Sequence, residues 1–406
     1  MRAGADRDRG AAATIVTILL AGGVLLGMTA LVVDVGRLYV EREDLQSGAD
    51  AAAMAVALDC AKRNDPDRDR ECRAAAGTAP GYANNNAGDG SSGVRHVCGT
   101  DARLPSCTGA GQGNLTDCLG QPPANATWVE VRTNTRLPSG SFILPPSFAQ
   151  TLAGGYSGST VEACARVGWG SPSGGLALTF CLSEWTDGTA GGYAPAPPAV
   201  PAASFEVVLK TKDPGNAGGN NGGGGNNGGG NGNGNGGGNN GGGNGNGGGG
   251  GPVDPCQARP SGGDLPGGFG WTDTPDRSLC QTVVTAAGSY TVEPGANVSH
   301  ACEQALRDAR ASGQPVSIPI YNQNTGTGNT GSYRIEGFAA FVVTGWGNLP
   351  NGLHSANSTL TGRAASTLCD SGEDCIFGYF TNALVPWDGG FGSTPNFGAT
   401  VIKTIG

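Results

Sequence analysis

Twelve cysteines and three histidines are the residues of this 406-residue chain with the most chemistry to offer. The cysteines are Cys60, Cys72, Cys98, Cys107, Cys118, Cys164, Cys181, Cys256, Cys280, Cys302, Cys369 and Cys375. An even number, dispersed and without two C-x-x-C pairs, points to a disulfide framework in an oxidising compartment. Zinc is the competing chemistry, since His96 with Cys98, Cys107 and Cys118 has the right ligand types. Zinc sites usually place two ligands only two to four residues apart, and these cysteines are more widely spread. Asp65, Asp67 and Asp69 imitate the first ligands of a calcium loop, but Arg70 stands where the sharp turn needs glycine and Ala76 where a bidentate glutamate belongs. A solvated charged segment is the better reading.

His96, His300 and His354 lie in different predicted pieces, so a nucleophilic triad would have to be assembled wholly by the fold. The chain carries no G-x-S-x-G elbow, H-E-x-x-H helix or Walker loop, and no compact carboxylate pair in apolar surroundings that would raise one pKa. His300 reads as a surface or satisfied core residue. These absences leave a hydrolase only if its site has no recognisable motif. A non-enzymatic protein with no cofactor and no small-molecule substrate is the expectation. Net charge is −9, and no basic stripe interleaved with aromatics appears, so nucleic acid is not an expected partner.

The elements that must position these residues begin with the run from Arg9 to Leu58. No charged residue lies between Ala11 and Val33, and about 23 residues at ~1.5 Å each span roughly 34 Å, enough to cross a bilayer's hydrocarbon core. Beyond Val33 the apolar pattern continues from Leu31 through Val35, Leu38, Leu45, Ala49, Ala52 and Val56 in steps of four and three, broken at Arg42. The helix is expected to run out of the membrane and to end by Asn64-Asp65-Pro66. Arg2, Arg7 and Arg9 place the short tail in the cytoplasm, and the cysteines, all after the apolar run, fit the opposite side. A cleaved signal would have a shorter apolar region ending at a small-x-small site. The seam Leu38, Leu45, Ala49, Ala52 and Val56 has two readings. It packs on the protein's own β region, or it receives a partner helix, because small residues let backbones approach closely.

Asp34-x-Gly36-Arg37, Leu45-Gln46 and Ala49-Asp50-Ala51-Ala52-Ala53 resemble the N-terminal segment of the TadE/TadG-like Flp pilus-assembly family, over about the first 60 residues. Three later pieces resemble the extracytoplasmic part of actinobacterial-type members: Leu265-Pro266-Gly267-Gly268-Phe269-Gly270-Trp271, Gly337-Phe338-Ala339-Ala340-Phe341 and Gly378-Tyr379-Phe380. The resemblance implies a membrane-anchored, non-enzymatic accessory protein of pilus assembly. Pilin precursors resemble one another in a glutamate at the fifth mature position. Here cleavage after Gly10 would put Ile15 there, so such processing is not expected.

After the helix, glycine, asparagine and serine dominate Gly77 to Pro123, which reads as a cysteine-stapled loop region. Period-two patterning then marks half-buried strands over Val129, Val131 and Thr133 and over Val161, Ala163, Ala165, Val167 and Trp169. Leu176 to Leu182 and Phe205 to Leu209 are further candidates, divided by a proline-rich stretch from Pro195 to Pro201. Gly215 to Gly251 contains only glycine and asparagine apart from Ala217, and such a tract has no apolar surface to offset its ordering entropy. It is expected to be disordered. Ser299 to Ser312 reads as a helix with Ser299 as N-cap, Gly313 as stop, and Ala301, Ala305, Leu306 and Ala309 on one face. Pro315 to Tyr321, Ser332 to Trp346, Cys375 to Pro386 and Ala399 to Ile405 read as strands.

Seven cysteines precede the tract and five follow it, so complete pairing within the chain requires an odd number of bridges across it. Cys369 with Cys375 and Cys280 with Cys302 are the local pairs. Cys256 is left for Cys181, which closes a shorter loop than Cys164 does.

The expected architecture is α+β: a cytoplasmic tail over 1–10, a transmembrane helix over 11–33 and its extracytoplasmic continuation over 34–63. A cysteine-containing β region follows in two parts, 64–214 and 252–406, around the disordered tract at 215–251. The expected function is a membrane-anchored component of Flp-type (tight adherence) pilus assembly or a related surface-assembly machine. Its partners are other pilus-assembly or envelope proteins, met through the N-terminal helix, and the lipid bilayer. The alternative is a membrane-anchored surface structural or adhesive protein unrelated to pili.

Overall fold

The computed structural model describes residues 5–61, 66–107, 118, 120–152, 155–210, 269–272, 279–284, 289–291, 300–325, 332–349, 353–369 and 374–406. The Gly/Asn tract, Cys256, Asp65 and the expected N-cap Ser299 lie outside them. The chain forms two compact units, residues 1–170 with 402–406, and residues 171–401. The division between units falls at 170/171, within the part of the chain that the sequence had read as the first β region.

The first unit opens with helices α1 (Ala5–Ala21) and α2 (Val24–Ala61), followed by α3 (Pro66–Arg73) and α4 (Ala75–Asn86). Strands β1 (Ser92–Gly99) and β2 (Thr127–Thr135), the short helix α5 (Ala149–Leu152) and strand β3 (Glu162–Gly170) follow. The three strands form an antiparallel sheet, and the chain end joins it where Ile405 N–H donates to the Arg166 carbonyl at 2.8 Å. The C-terminal half of α2 lies on this sheet. Val129, Val131 and Thr133 of β2 are buried against it, as their alternation predicts.

Helix α4 lies on α2 through Ala75, Ala79 and Ala83, a buried stripe at spacing four. The two helices come closest at Gly48, where an added Cβ would lie 2.9 Å from the Ala83 carbonyl oxygen. Gly81, on α4, has open space at the same test. Gly48→Ala should therefore destabilise the protein by about 1–3 kcal/mol through overpacking. Gly81→Ala should stabilise by about 0.5–1 kcal/mol through helix propensity. Chemical denaturation of the two variants checks the opposite signs.

The second unit contains β4 (Gly174–Leu176), β5 (Leu178–Cys181), α6 (Leu182–Thr189), β6 (Val207–Lys210), β7 (Phe269–Trp271), β8 (Gln281–Val283) and β9 (Ser289–Thr291). Helix α7 (His300–Ser312), β10 (Val316–Thr325), β11 (Ser332–Gly347), α8 (Ala365–Leu368), β12 (Cys375–Thr381), β13 (Ala383–Leu384) and β14 (Asn396–Phe397) follow, and β15 (Ala399–Thr404) begins in this unit and has its last residues, 402–404, in the first. The main sheet of the second unit runs β6-β12-β11-β10-β5-β7, antiparallel except at β10/β5. Helix α7 covers the sheet with Leu306 and Ala309, over a core containing Phe180, Phe341, Phe380 and Trp346. It ends where expected, with Gly313 at φ 60° donating its N–H to the Ala309 carbonyl.

Three sequence expectations change. The uncharged run 11–33 is not one helix, because Gly22 and Gly23 separate α1 from α2, with Gly23 at φ 69°. Among the described residues no helix is long and apolar enough to cross a membrane. The run is shared between a helix that starts in the charged tail and one that continues past Asp34, Arg37 and Glu41. The second change is in the expected loop region from Gly77 to Pro123, where most of α4 and all of β1 lie, preceded by α3. Pro66 opens α3, as the one residue with no N–H to leave unpaired, and the α4 stripe is built of alanine. Finally, the expected strand 176–182 ends at Cys181, where α6 begins.

Candidate functional site

The conspicuous residue set in the N-terminal segment is Asp34, Gly36, Arg37, Leu45, Gln46, Ala49 and Asp50, and the structure gives most of it a role. Asp34 stands at the first turn of α2 beyond the uncharged run. Its carboxylate accepts the backbone N–H groups of Ser147 at 2.6 Å, Phe148 at 3.1 Å and Ala149 at 2.6 Å, the residues that lead into α5. One turn on, Arg37 donates to the Pro145 carbonyl at 3.2 Å and to Ser147 Oγ at 2.5 Å. Desolvation pushes the Asp34 carboxyl up, but the three N–H donors and the Arg37 charge outweigh it and hold the group below its ordinary value. Asp34 and Arg37 thus clamp the β2–β3 connection onto α2. Gly36 has open space beside it, and nothing among the described residues requires glycine there.

The clamp predicts that Asp34→Ala frees the amides of Ser147, Phe148 and Ala149. Their hydrogen exchange should accelerate by more than tenfold, while amides of β2 hold their rates. Unchanged exchange at 147–149 contradicts the clamp.

Two turns further along α2, the Leu45 carbonyl accepts the Thr133 hydroxyl at 2.9 Å. Gln46 donates to the Cys164 carbonyl at 3.0 Å and to Asp50 at 3.1 Å. Burial raises the Asp50 pKa against the opposing Gln46 hydrogen bond. Leu45, Ala49, Ala52 and Val56 are all at most 1% exposed. The seam is therefore occupied by the unit's own strands and by α4, which corrects the partner-helix reading for those four residues. Small side chains there let α2 lie close on β2 and β3. Leu38 is half-buried, and the open surface of α2 lies around it, at Val35, Tyr39 and Val40.

The described cysteines are all disulfide-bonded. Bridges join Cys60 to Cys72, Cys98 to Cys107, Cys118 to Cys164, Cys280 to Cys302 and Cys369 to Cys375, with Cα separations of 4.8, 5.0, 5.1, 4.6 and 5.9 Å. Both local pairs expected from sequence are among them. Cys181 is disulfide-bonded too, and Cys256, the partner expected for it, lies outside the described residues. His96, Cys98 and Cys107 do come together within 4.8 Å, as do Cys118, Glu130 and Cys164. Both sets contain a closed bridge, and a bridged sulfur has no thiolate to offer a metal. Asp69 is taken by Arg73 and Arg103, and its hydrogen bond from Arg73 is the first cause that lowers its pKa.

His96 is on β1, while His300 projects from α7 with a side chain 97% exposed and Glu303 at 3.6 Å. The backbone carbonyl of His354 accepts the Trp346 indole N–H at 3.1 Å. His96 belongs to the first unit, and His300 and His354 to the second. One group that sequence reasoning missed is Glu130, buried on the other face of β2 between Arg132 and Arg166. Its alternation with Val129 and Val131 reads as a solvent face, and only the coincidence with two arginines hints otherwise.

No curated protein and no solved structure matches this chain. The segment that carries the clamp and the helix–sheet contacts does have a match: residues 10–59 fit the family model described as "Putative Flp pilus-assembly TadE/G-like".

Proposed function

We propose that this chain is a membrane-anchored, non-enzymatic component of Flp-type pilus assembly, with residues after Val33 outside the cytoplasm. The observation that carries the reading is the family match over residues 10–59, which falls on the helices that leave apolar surface uncovered. Ile15, Val16, Ile18, Leu20, Val24 and Met28 are each between 45% and 63% exposed. This surface suits lipid. The break at Gly22–Gly23 does not prevent insertion. Gly22 N–H donates to Ile18, Gly23 to Leu20 and Gly27 to Gly23, so these amides at the break keep backbone partners, which a hydrocarbon environment favours. With the seam buried, pilus-assembly or envelope partners are met through Val35, Tyr39 and Val40. The bridges support a structural role.

Two measurements test this. An exported phosphatase joined after Leu58 should be active, and an inactive fusion contradicts the orientation. A photo-crosslinking residue at Tyr39 in living cells should capture pilus-assembly proteins. Capture of unrelated wall material alone would favour a surface protein with no part in pili.

A further inference from the structure

A second apolar feature lies next to the anchor in the fold. The connection between β2 and β3 has no charged residue from Leu137 to Val161, whereas Arg136 and Glu162 bound it directly. It is not a buried loop. Phe142, Ile143, Phe148 and Tyr156 are 52%, 44%, 49% and 40% exposed, an unusual set of large side chains for one solvent-facing excursion. Nor is it shapeless. Leu144 and Ser159 exchange backbone hydrogen bonds at 2.9 and 3.2 Å, the Thr160 hydroxyl donates to the Phe142 carbonyl at 2.7 Å, and Gly140 N–H closes a turn on Leu137 at 2.7 Å. In its described residues the excursion is a short ribbon that buries Leu144 and turns Phe142, Ile143, Phe148 and Tyr156 outward.

Its placement decides what covers it. The Asp34–Arg37 clamp fastens residues 145–149 to the turn of α2 that immediately follows the uncharged run 11–33. The two longest uncharged segments of the first unit therefore meet at one level of the helix. Exposed phenylalanine and tyrosine at that level suit the headgroup region, where amphipathic and aromatic side chains concentrate. The clamp also pairs the two charges that would otherwise stand bare at that depth.

We infer that the 137–161 ribbon is a second membrane contact, which lays Phe142, Ile143 and Phe148 into the interfacial layer of the same leaflet from which α2 emerges. The inference rests on the anchor reading for its geometry. It adds a separate lipid-binding element that fixes how the first unit stands on the bilayer.

The test uses the full chain, oxidised, in phosphatidylethanolamine–phosphatidylglycerol vesicles. Single substitutions Ile143→Cys, Val32→Cys and Tyr82→Cys receive a nitroxide label, with the unsubstituted protein treated in parallel as background. All are exposed positions, and no described cysteine is free. Relaxation by oxygen relative to a water-soluble nickel chelate reports depth. The Ile143 label should show a severalfold higher ratio than the Tyr82 label on α4, and the Val32 label should show it too. A lipid-like Val32 label with an aqueous Ile143 label overturns the inference and leaves the anchor standing, with the ribbon then free for a protein partner. Aqueous values at both overturn both. A lipid-like Ile143 label with an aqueous Val32 label overturns the anchor and, with it, the placement of the ribbon in the leaflet from which α2 emerges.

Discussion

Glu130→Ala should lower the unfolding free energy of the first unit by about 3–5 kcal/mol, because it strands a charge that the fold has taken out of water. Glu130 is only 2% exposed. One carboxylate oxygen meets Arg132 Nε at 2.8 Å and the other meets the Arg166 guanidinium at 2.7 Å. Arg166 in turn donates to the Gly120 carbonyl at 3.1 Å and lies 4.9 Å over the Trp128 ring. These contacts hold the Arg166 guanidinium in its buried position, so its charge stays there when Glu130 is lost. The pH dependence has a definite sign. Burial alone would raise the Glu130 pKa, yet the hydrogen bonds and charges of the two arginines outweigh it and hold the carboxyl below its ordinary value. A carboxyl depressed in the folded state contributes stability above its unfolded value, about 4.3, and loses it as the pH falls through the lower folded value. Denaturation measured from pH 7 downward should show wild type losing stability through that window. Glu130→Gln should start lower and fall less. Parallel curves for the two proteins contradict the assignment.

Phe341→Ala should cost the second unit about 3–5 kcal/mol, the range for emptying a buried aromatic site. Phe341 is fully buried, with ring centroids 4.9 Å from Phe180 and 5.0 Å from Phe380 in edge-on contacts that add to area burial. It sits mid-strand on β11, the strand that pairs with both β10 and β12. The neighbouring backbone therefore has little freedom to collapse into the space left behind. Phe142→Ala, on an exposed ribbon, should change stability by no more than about 0.5 kcal/mol. Thermal unfolding of the two variants provides the comparison, and similar losses at both positions would contradict this account of the core.

Much of the second unit was legible in the sequence because its signals are strong and local. Pro315 to Tyr321, Ser332 to Trp346, Cys375 to Pro386 and Ala399 to Ile405 combine β-branched and aromatic residues between glycine and asparagine turns, and each carries a strand, with Cys375 to Pro386 divided at Asn382 into β12 and β13. The stop at Gly313 was equally plain. Helix α4 was hidden because its buried stripe is alanine and its sequence is rich in glycine and asparagine, so hydrophobic periodicity has almost nothing to detect. The break at Gly22–Gly23 was hidden for the opposite reason: the surrounding apolar run masks a conformational preference that belongs to single residues. The motif residues were found by resemblance, but their use was not. That Asp34 and Arg37 reach Pro145 and Ser147 is a tertiary fact, and no spacing within residues 34–50 contains it. The same holds for Glu130, whose burial depends on where Arg166 arrives from another strand.

Pilus assembly is the central claim, and counting surface filaments tests it most directly. Deleting the coding sequence from a host that displays Flp pili should abolish or sharply reduce the filaments seen by electron microscopy. The full chain should restore them, whereas a chain carrying Asp34→Ala and Arg37→Ala should restore few. A deletion strain that displays filaments in normal number and length would contradict the account.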